Sequence, residues 1–288
     1  MKAKTIKKAL RAKIDEWLSS IEDEALRKQL GEQTIVTGGA IASMLLQESV
    51  NDYDIYFRTM DAAVAAAKYY VNKFPGYTMH GINVKSDDGR VRIVTAKGYR
   101  GETAGDVRTL QDSGEIEESY QEAEAAALKV DDKPKYRPIF LSTNAITLAN
   151  KMQIILRFWG EPDAIHKNYD FVHCTNYWTS WDGNLVLRPA ALETLLSREL
   201  RYAGSKYPVC SVFRLRKFIK RGWSINAGQI LKMLMQISAL DLTDPLVLED
   251  QLTGVDSAYF IEIMQKLNEK DPEKVNTAYL VEIIDRMF

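Results

Sequence analysis

The chain has few residues suited to disulfide, redox or zinc chemistry. Its 288 residues include two cysteines and three histidines. Cys174 and Cys210 form no CxxC pair, and neither lies at the Cys/His spacing of a zinc site. We therefore expect two reduced thiols in a cytoplasmic protein, and neither a disulfide framework nor a structural zinc ion.

Long apolar runs and a strong net charge are also missing. No apolar stretch is long enough to span a bilayer. The first residues, MKAKTIKKAL, are charged where a secretory signal would be apolar. The formal net charge is -1, so no global field favours nucleic acid or a membrane surface. These absences predict a cytoplasmic protein with no membrane partner, in which any basic surface is local.

The hydrophobic pattern divides the chain into two parts. Residues 1–187 alternate between helix-like and strand-like runs, whereas residues 188–288 carry apolar residues mainly at helical spacing. Residues from about 98 to 135 are acidic and poor in large apolar side chains, which indicates an exposed insertion. We predict an α/β (α+β) fold, with a small mixed β-sheet and flanking helices followed by a helical C-terminal domain. One strand is predicted over residues 169–178.

The most informative stretch of the sequence is a strand, a glycine pair, a helix and a second strand. Residues 35–37 form the first strand, Gly38 and Gly39 follow, and the second strand begins with Asp52-Tyr53-Asp54. Glycine lets a backbone approach a ligand closely and adopt positive φ. The free N–H groups at the start of the helix attract anions such as a triphosphate. Ser43, one turn into the helix, adds a hydroxyl.

The two aspartates are expected on one face of their strand. Residues two apart in a strand point to the same side, so Asp52 and Asp54 stand next to each other. Adjacent carboxylates repel unless a cation neutralises them, and Mg²⁺ prefers such hard oxygen ligands together with substrate phosphates. A pair of metal ions clamps the attacking and leaving oxygens in many phosphoryl transfers. The spacing therefore predicts a Mg²⁺ or Mn²⁺ site.

This combination over residues 33–187 resembles the signature of polymerase-β-like nucleotidyltransferases. The resemblance implies that Gly38 and Gly39 hold the phosphates of an NTP and that Asp52 and Asp54 bind metal. It also implies a third carboxylate from a neighbouring strand, which we assign to Asp170. The combination with YDFVHCTNYW also resembles uncharacterised nucleotidyltransferase-like proteins of tailed bacteriophages. CCA-adding enzymes carry an Arg-Asp pair after the glycines, where this chain has residues 40–42, Ala-Ile-Ala.

A basic stretch interrupts the near-neutral chain between residues 198 and 221. Arg214, Lys217 and Arg221 share one helical face, which predicts either contacts with the triphosphate or an RNA backbone, or a solvated helix surface. His173 follows Asp170 closely, but the strand period places it on the opposite face. We therefore expect a core or edge histidine and no catalytic one.

Two classes of function remain open from the sequence. The first is a metal-dependent nucleotidyltransferase that moves an NMP from an NTP to a hydroxyl of an RNA 3′ end, a protein or a small molecule. The second is a catalytically silent relative that serves as a structural or nucleic-acid-binding protein, for instance of a bacteriophage. The first class requires Asp170 to lie within reach of a metal bound by Asp52 and Asp54.

Overall fold

A computed structural model describes residues 2–74, 81–87, 89–94, 134–141 and 144–242, together with residues 244, 247, 248 and 251. Nearly all of the acidic insertion predicted at about 98–135 lies outside the described residues, as does the part of the predicted helical domain after residue 251. None of the helices in this described part is both long enough and apolar enough to cross a membrane.

The described residues up to 186 contain both helices and most of the strands, and helices dominate the described residues that follow. The helices are α1 (Ala3–Ser19), α2 (Glu24–Gly31), α3 (Gly39–Leu46), α4 (Met60–Lys73), α5 (Pro162–His166), α6 (Pro189–Ser197), α7 (Pro208–Lys220) and α8 (Ala227–Ile237). The strands are β1 (Thr34–Thr37), β2 (Tyr53–Phe57), β3 (Asn83–Asp87), β4 (Arg90–Val94), β5 (Pro138–Leu141), β6 (Ala145–Leu148), β7 (Met152–Ile155), β8 (Tyr177–Thr179), β9 (Leu185–Val186), β10 (Glu199–Leu200) and β11 (Ser224–Ile225).

Seven of these strands form one mixed sheet in the order β5-β6-β7-β2-β1-β8-β9. The pairing of β2 with β7 is parallel, and the other pairings in this sheet are antiparallel. The strands β3 and β4 form a separate hairpin, and β10 pairs with β11. The central position of β1 and β2 puts the strand–glycine–helix–strand segment in the middle of the sheet.

One face of the sheet is apolar and is covered by helices. Val36, Ile55, Ile154 and Ile146 lie in register across four strands, and all are fully buried. They pack in one core with the apolar stripe of α1 and with α4. The buried residues of α4 that face this core include four alanines, Ala62, Ala63, Ala66 and Ala67, whose small side chains allow a helix to approach a sheet closely.

A second, smaller core joins the helical segment to the sheet domain. Ala42 of α3 and Phe171 pack with Leu195 and Leu200 from beyond residue 188, and Trp223 closes the cluster. The predicted domain boundary at residues 187 and 188 remains a prediction. Residues after 188 nevertheless make apolar contacts with α3, the helix that follows the glycine turn. The parts of the chain before and after this boundary therefore share a buried interface.

The predicted fold class is confirmed, because a mixed sheet with flanking helices is followed by further helices. The strand predicted over residues 169–178 is wrong. The backbone there forms a 3₁₀ turn, Val172–Cys174, and only residues from Tyr177 onwards join the sheet as β8. The apolar residues that suggested a strand are instead shared between a short turn and the second core, where Phe171 is buried.

His173 is buried in this second core as the sequence predicts. Its ring lies 4.6 Å from that of Phe218 and 4.5 Å from that of Trp223, measured between centroids. Neither ring nitrogen has a hydrogen-bond partner. Burial lowers the pKa of His173 to about 4, so the imidazole is neutral at physiological pH.

This burial predicts a loss of stability in mild acid. An unfolded histidine takes up its proton near a pKa of about 6.5, whereas the folded His173 does so only near 4. The unfolded state therefore binds more protons between these pH values, and the free energy of unfolding falls as the pH decreases through them. For His173 the expected fall is about 3 kcal/mol.

Denaturant unfolding at a series of pH values measures this fall. His166 is also buried and its pKa is likewise lowered to about 4, so both histidines contribute. His173→Phe suits the aromatic surroundings and cannot be protonated, so we expect the variant to lose about half of the decrease. A variant with the full wild-type pH dependence would show that His173 does not titrate with unfolding.

Candidate active site

The turn between β1 and α3 is pressed against a carboxylate. Gly38 has a φ of 90°, a conformation that side-chain-bearing residues rarely adopt. A Cβ atom at Gly38 would lie 2.6 Å from Oδ2 of Asp54, whereas one at Gly39 would meet nothing within 4 Å. The first glycine is therefore required by the neighbouring Asp54, and the second leaves open space at the first residue of α3.

One N–H group of this turn is hydrogen-bonded within the protein, and others are open to a ligand. The Gly38 N–H donates to the carbonyl oxygen of Cys174 at 3.1 Å. Gly38, as the N-cap residue, has no side chain to satisfy the first N–H groups of α3. The turn can therefore present N–H groups of Gly39 and the residues after it to an anion, while that of Gly38 holds the turn in place. Ser43 is half-buried on the same helix.

Opposite the apolar face, the sheet carries a row of polar side chains. Thr37 of β1 pairs with Asp54 of β2, Asp54 with Gln153 of β7, and Gln153 with Thr147 of β6. Paired residues in neighbouring strands share a face of the sheet. The candidate site therefore lies on the side opposite α1 and α4. Gln153 is not among the site residues that were predicted from the sequence.

Asp54 lies on β2 and Asp52 immediately before it, and the two carboxylates are close enough for their charges to interact. Burial raises the pKa of Asp54 well above its ordinary value, and the neighbouring Asp52 carboxylate raises it further. Burial also raises the pKa of Asp52, although three positive side chains oppose this shift. Two half-buried carboxylates with raised pKa values bind a cation favourably, because the cation stabilises the charged form that burial disfavours.

The basic face of α7 is directed towards these carboxylates. Lys217 and Arg221 lower the pKa of Asp52 by their charge, and Arg214 does the same for Asp54. The three residues predicted to share a helical face thus act on the same pair of carboxylates. Lys151, the residue before β7, adds a further positive charge near Asp52, and the sequence analysis did not identify it. Four positively charged side chains thus act on the carboxylate pair.

Asp170 lies in a loop and is engaged by other side chains. Arg214 Nη1 donates to its Oδ2 at 2.5 Å, and Ser205 Oγ donates to its Oδ1 at 3.1 Å. Only 4% of the Asp170 side chain is exposed. Within the described ranges no three acidic, histidine or cysteine side chains are grouped so as to hold a metal ion. Asp170 therefore binds Arg214 of α7. Its role as a third metal ligand remains a prediction.

A buried pair of polar side chains, Thr37 and His166, lies next to the glycine turn. Thr37 Oγ1 donates to the carbonyl oxygen of Asn176 at 2.9 Å and lies 2.8 Å from His166 Nε2. The tautomer of the imidazole determines the direction of the hydrogen bond between Thr37 and His166. Burial lowers the pKa of His166 to about 4, so its ring is neutral at physiological pH. The last residue of β1, Thr37, is thereby connected to Asn176 and to His166 of α5.

The contrast between the two glycines gives a direct test of the turn. Gly38→Ala places a Cβ against the Asp54 carboxylate at a positive φ, and we expect it to lower the free energy of unfolding by about 1–3 kcal/mol. Gly39→Ala is the matched control, since its Cβ meets open space at the first helical position, and its effect should stay within about 0.5 kcal/mol. Denaturant melts compare the two. An equal decrease in the free energy of unfolding in both variants would contradict the contact between Gly38 and Asp54.

The chain is similar to solved structures of tRNA-processing enzymes. The Thermotoga maritima CCA-adding enzyme complexed with tRNA is 14% identical with a TM-score of 0.41, and the match covers 94% of this chain and 53% of that one. For the Bacillus stearothermophilus CCA-adding enzyme in complex with CTP the values are 13%, 0.40, 89% and 52%. A tRNA-processing enzyme with CTP gives 13%, 0.42, 91% and 54%. The chain thus spans about half the length of these proteins.

A family model also matches this chain, whereas no curated protein does. The model describes the Gabija anti-defense 2 family protein, Gad2, and it matches residues 8–198. The matched region begins in α1 and ends just after α6. It therefore contains the whole seven-stranded sheet, the glycine turn, and both Asp52 and Asp54. The chain belongs to the Gabija anti-defense 2 family.

Proposed function

We propose that the chain is a metal-dependent nucleotidyltransferase that transfers an NMP from an NTP to a hydroxyl acceptor and releases pyrophosphate. The observation that supports this most directly is the half-buried pair Asp52 and Asp54, with raised pKa values, beside an open helix start at Gly39. Carboxylates of this kind suit Mg²⁺ or Mn²⁺, which take hard oxygen ligands. The bound ion would stabilise the charge that develops on the transferred phosphoryl group.

The other residues of the site bind and orient the nucleotide in this proposal. The N–H groups at the start of α3 face the triphosphate, with Gly38 shaping the turn and Ser43 one turn further on. Lys217 and Arg221 neutralise phosphate charge near Asp52. Arg214 lies between the two parts of the site, because its charge acts on Asp54 while it is paired with Asp170. We therefore propose that Asp170 contributes by fixing Arg214 in place.

The acceptor is an RNA 3′ end, a protein or a small molecule. The similar CCA-adding enzymes were solved with tRNA and with CTP, which makes RNA and each NTP the first combinations to test. The name of the family adds a setting, since a Gabija anti-defense protein would use this chemistry against a defence system.

The proposed activity is tested with each α-³²P-labelled NTP, Mg²⁺ or Mn²⁺, and total RNA or lysate protein. In the double variant Asp52→Asn/Asp54→Asn we expect labelling to fall by more than about 100-fold, because several kcal/mol of metal-dependent stabilisation is lost. Asp61→Asn is the control, since this exposed aspartate lies in the first turn of α4, away from the site. Labelling that survives in the double variant would contradict the proposal.

A second candidate is nucleotide binding without transfer. The observation that favours it is the pairing of Asp170 with Arg214, which leaves two carboxylates in the described part of the site. In this case the same protein binds NTP with metal, and the binding is lost in the double variant, but no labelled product forms with any acceptor. The two candidates are therefore separated by comparing nucleotide binding with turnover.

The basic helix should contribute to nucleotide affinity in both cases. Lys217 and Arg221 are exposed, so each contributes about 0.5–1 kcal/mol, or roughly two- to five-fold in Kd. We expect Lys217→Ala/Arg221→Ala to weaken NTP binding by about ten-fold at low salt and by less at high salt. Lys232→Ala on α8 is the control for loss of an exposed lysine. Isothermal titration with Mg²⁺-NTP measures the difference, and unchanged affinity would indicate a merely solvated helix face.

A further inference from the structure

Gln153 stands beside Asp54 on the face of the sheet that carries the site. It pairs with Asp54 in the parallel ladder between β2 and β7. Parallel strands lie about 4.8 Å apart, and paired side chains point to the same face. The long amide side chain of Gln153 is therefore within reach of a ligand bound by the Asp54 carboxylate. It is half-buried, as Asp54 is.

The amide of Gln153 is not used to hold the fold together. In the part of the chain that the structure describes, its side chain makes no hydrogen bond or ion pair, and the same holds for the Asp54 carboxylate. Its neighbours in register, Asp54 and Thr147, carry polar side chains. A polar side chain in such a position, without a structural partner, is available to a ligand.

The charge balance of the site sets a limit on the cations it can hold. Asp52 and Asp54 together carry two negative charges, which one divalent ion neutralises. Asp170 adds no free charge because Arg214 and Ser205 engage it. Lys151, Lys217 and Arg221 already place positive charge near Asp52. A second divalent ion would therefore depend on the phosphates of the nucleotide alone, because no further carboxylate among the described residues offsets the positive charge nearby.

We infer that Gln153 is the third side chain of the metal–nucleotide site and that its neutral amide limits the site to one divalent ion. This inference rests on the proposed binding of metal and nucleotide by Asp52 and Asp54. The amide carbonyl is a hard, uncharged oxygen ligand, and the NH₂ group donates to a ligand oxygen. An amide does not accept a proton near neutral pH, so Gln153 binds and orients without acting as a base.

The experiment counts Mn²⁺ ions bound per chain by electron paramagnetic resonance, with the full chain saturated by α,β-methylene analogues of the four NTPs. The wild-type chain should bind one Mn²⁺. Gln153→Glu adds a carboxylate in register with Asp54, and we expect it to bind two, the first about ten-fold more tightly. Gln29→Glu on α2 adds the same charge on the opposite side of the sheet and should bind one.

The outcomes separate this inference from the proposed function. Two Mn²⁺ ions in the wild-type chain would overturn the inference and leave the proposed function standing. One ion in a folded Gln153→Glu variant, checked by circular dichroism, would also overturn it. No Mn²⁺ with any nucleotide, in the wild-type chain and in Asp52→Asn/Asp54→Asn alike, would overturn both. If Gln153→Glu does not fold, Gln153→Ala decides: the inference requires weaker binding of one ion, and wild-type affinity would contradict it.

Discussion

The contact between the Gly38 backbone and the Asp54 carboxylate constrains the rest of the site. The Asp54 carboxylate leaves no room for a Cβ atom at Gly38, and the backbone there has a positive φ. This conformation sets the direction in which α3 leaves β1. The same contact places the start of the helix next to the carboxylate pair. The contact between Thr37 and His166 and the hydrogen bond from Gly38 to Cys174 also hold the turn in place. The N–H groups at the start of α3 and the carboxylate pair are thereby brought together by one tight turn.

The sequence predicted the parts of the site that depend on local geometry. The strand period predicts Asp52 and Asp54 on one face, although β2 begins only at Tyr53, and the helical period predicts Arg214, Lys217 and Arg221 on another shared surface. The fold class followed from the same two periods. His173 was correctly assigned to the core for a similar reason, although the 3₁₀ turn that carries it was not foreseen.

The parts that could not be predicted depend on pairing between distant segments. Gln153 becomes part of the site only because β7 lies parallel to β2, and nothing in the local sequence specifies that register. Asp170 was expected on a strand, since its apolar neighbours suit one. Of those neighbours, Phe171 packs in the second core and Tyr169 packs against Tyr56 on the sheet, while the carboxylate binds Arg214, 44 positions away in the chain. Both cases show tertiary packing overriding a local pattern.

The parallel pairing of β2 with β7 also has a kinetic consequence. Such a pairing brings together segments separated by a long stretch of chain, and the entropy of closing that loop is lost before any contact compensates for it. The glycine turn and the two aspartates lie within one strand–helix–strand segment, so they are local and can form early. The row that runs from Thr37 to Thr147 is complete only after the loop has closed, so its polar side chains come together no earlier than the slow step of folding.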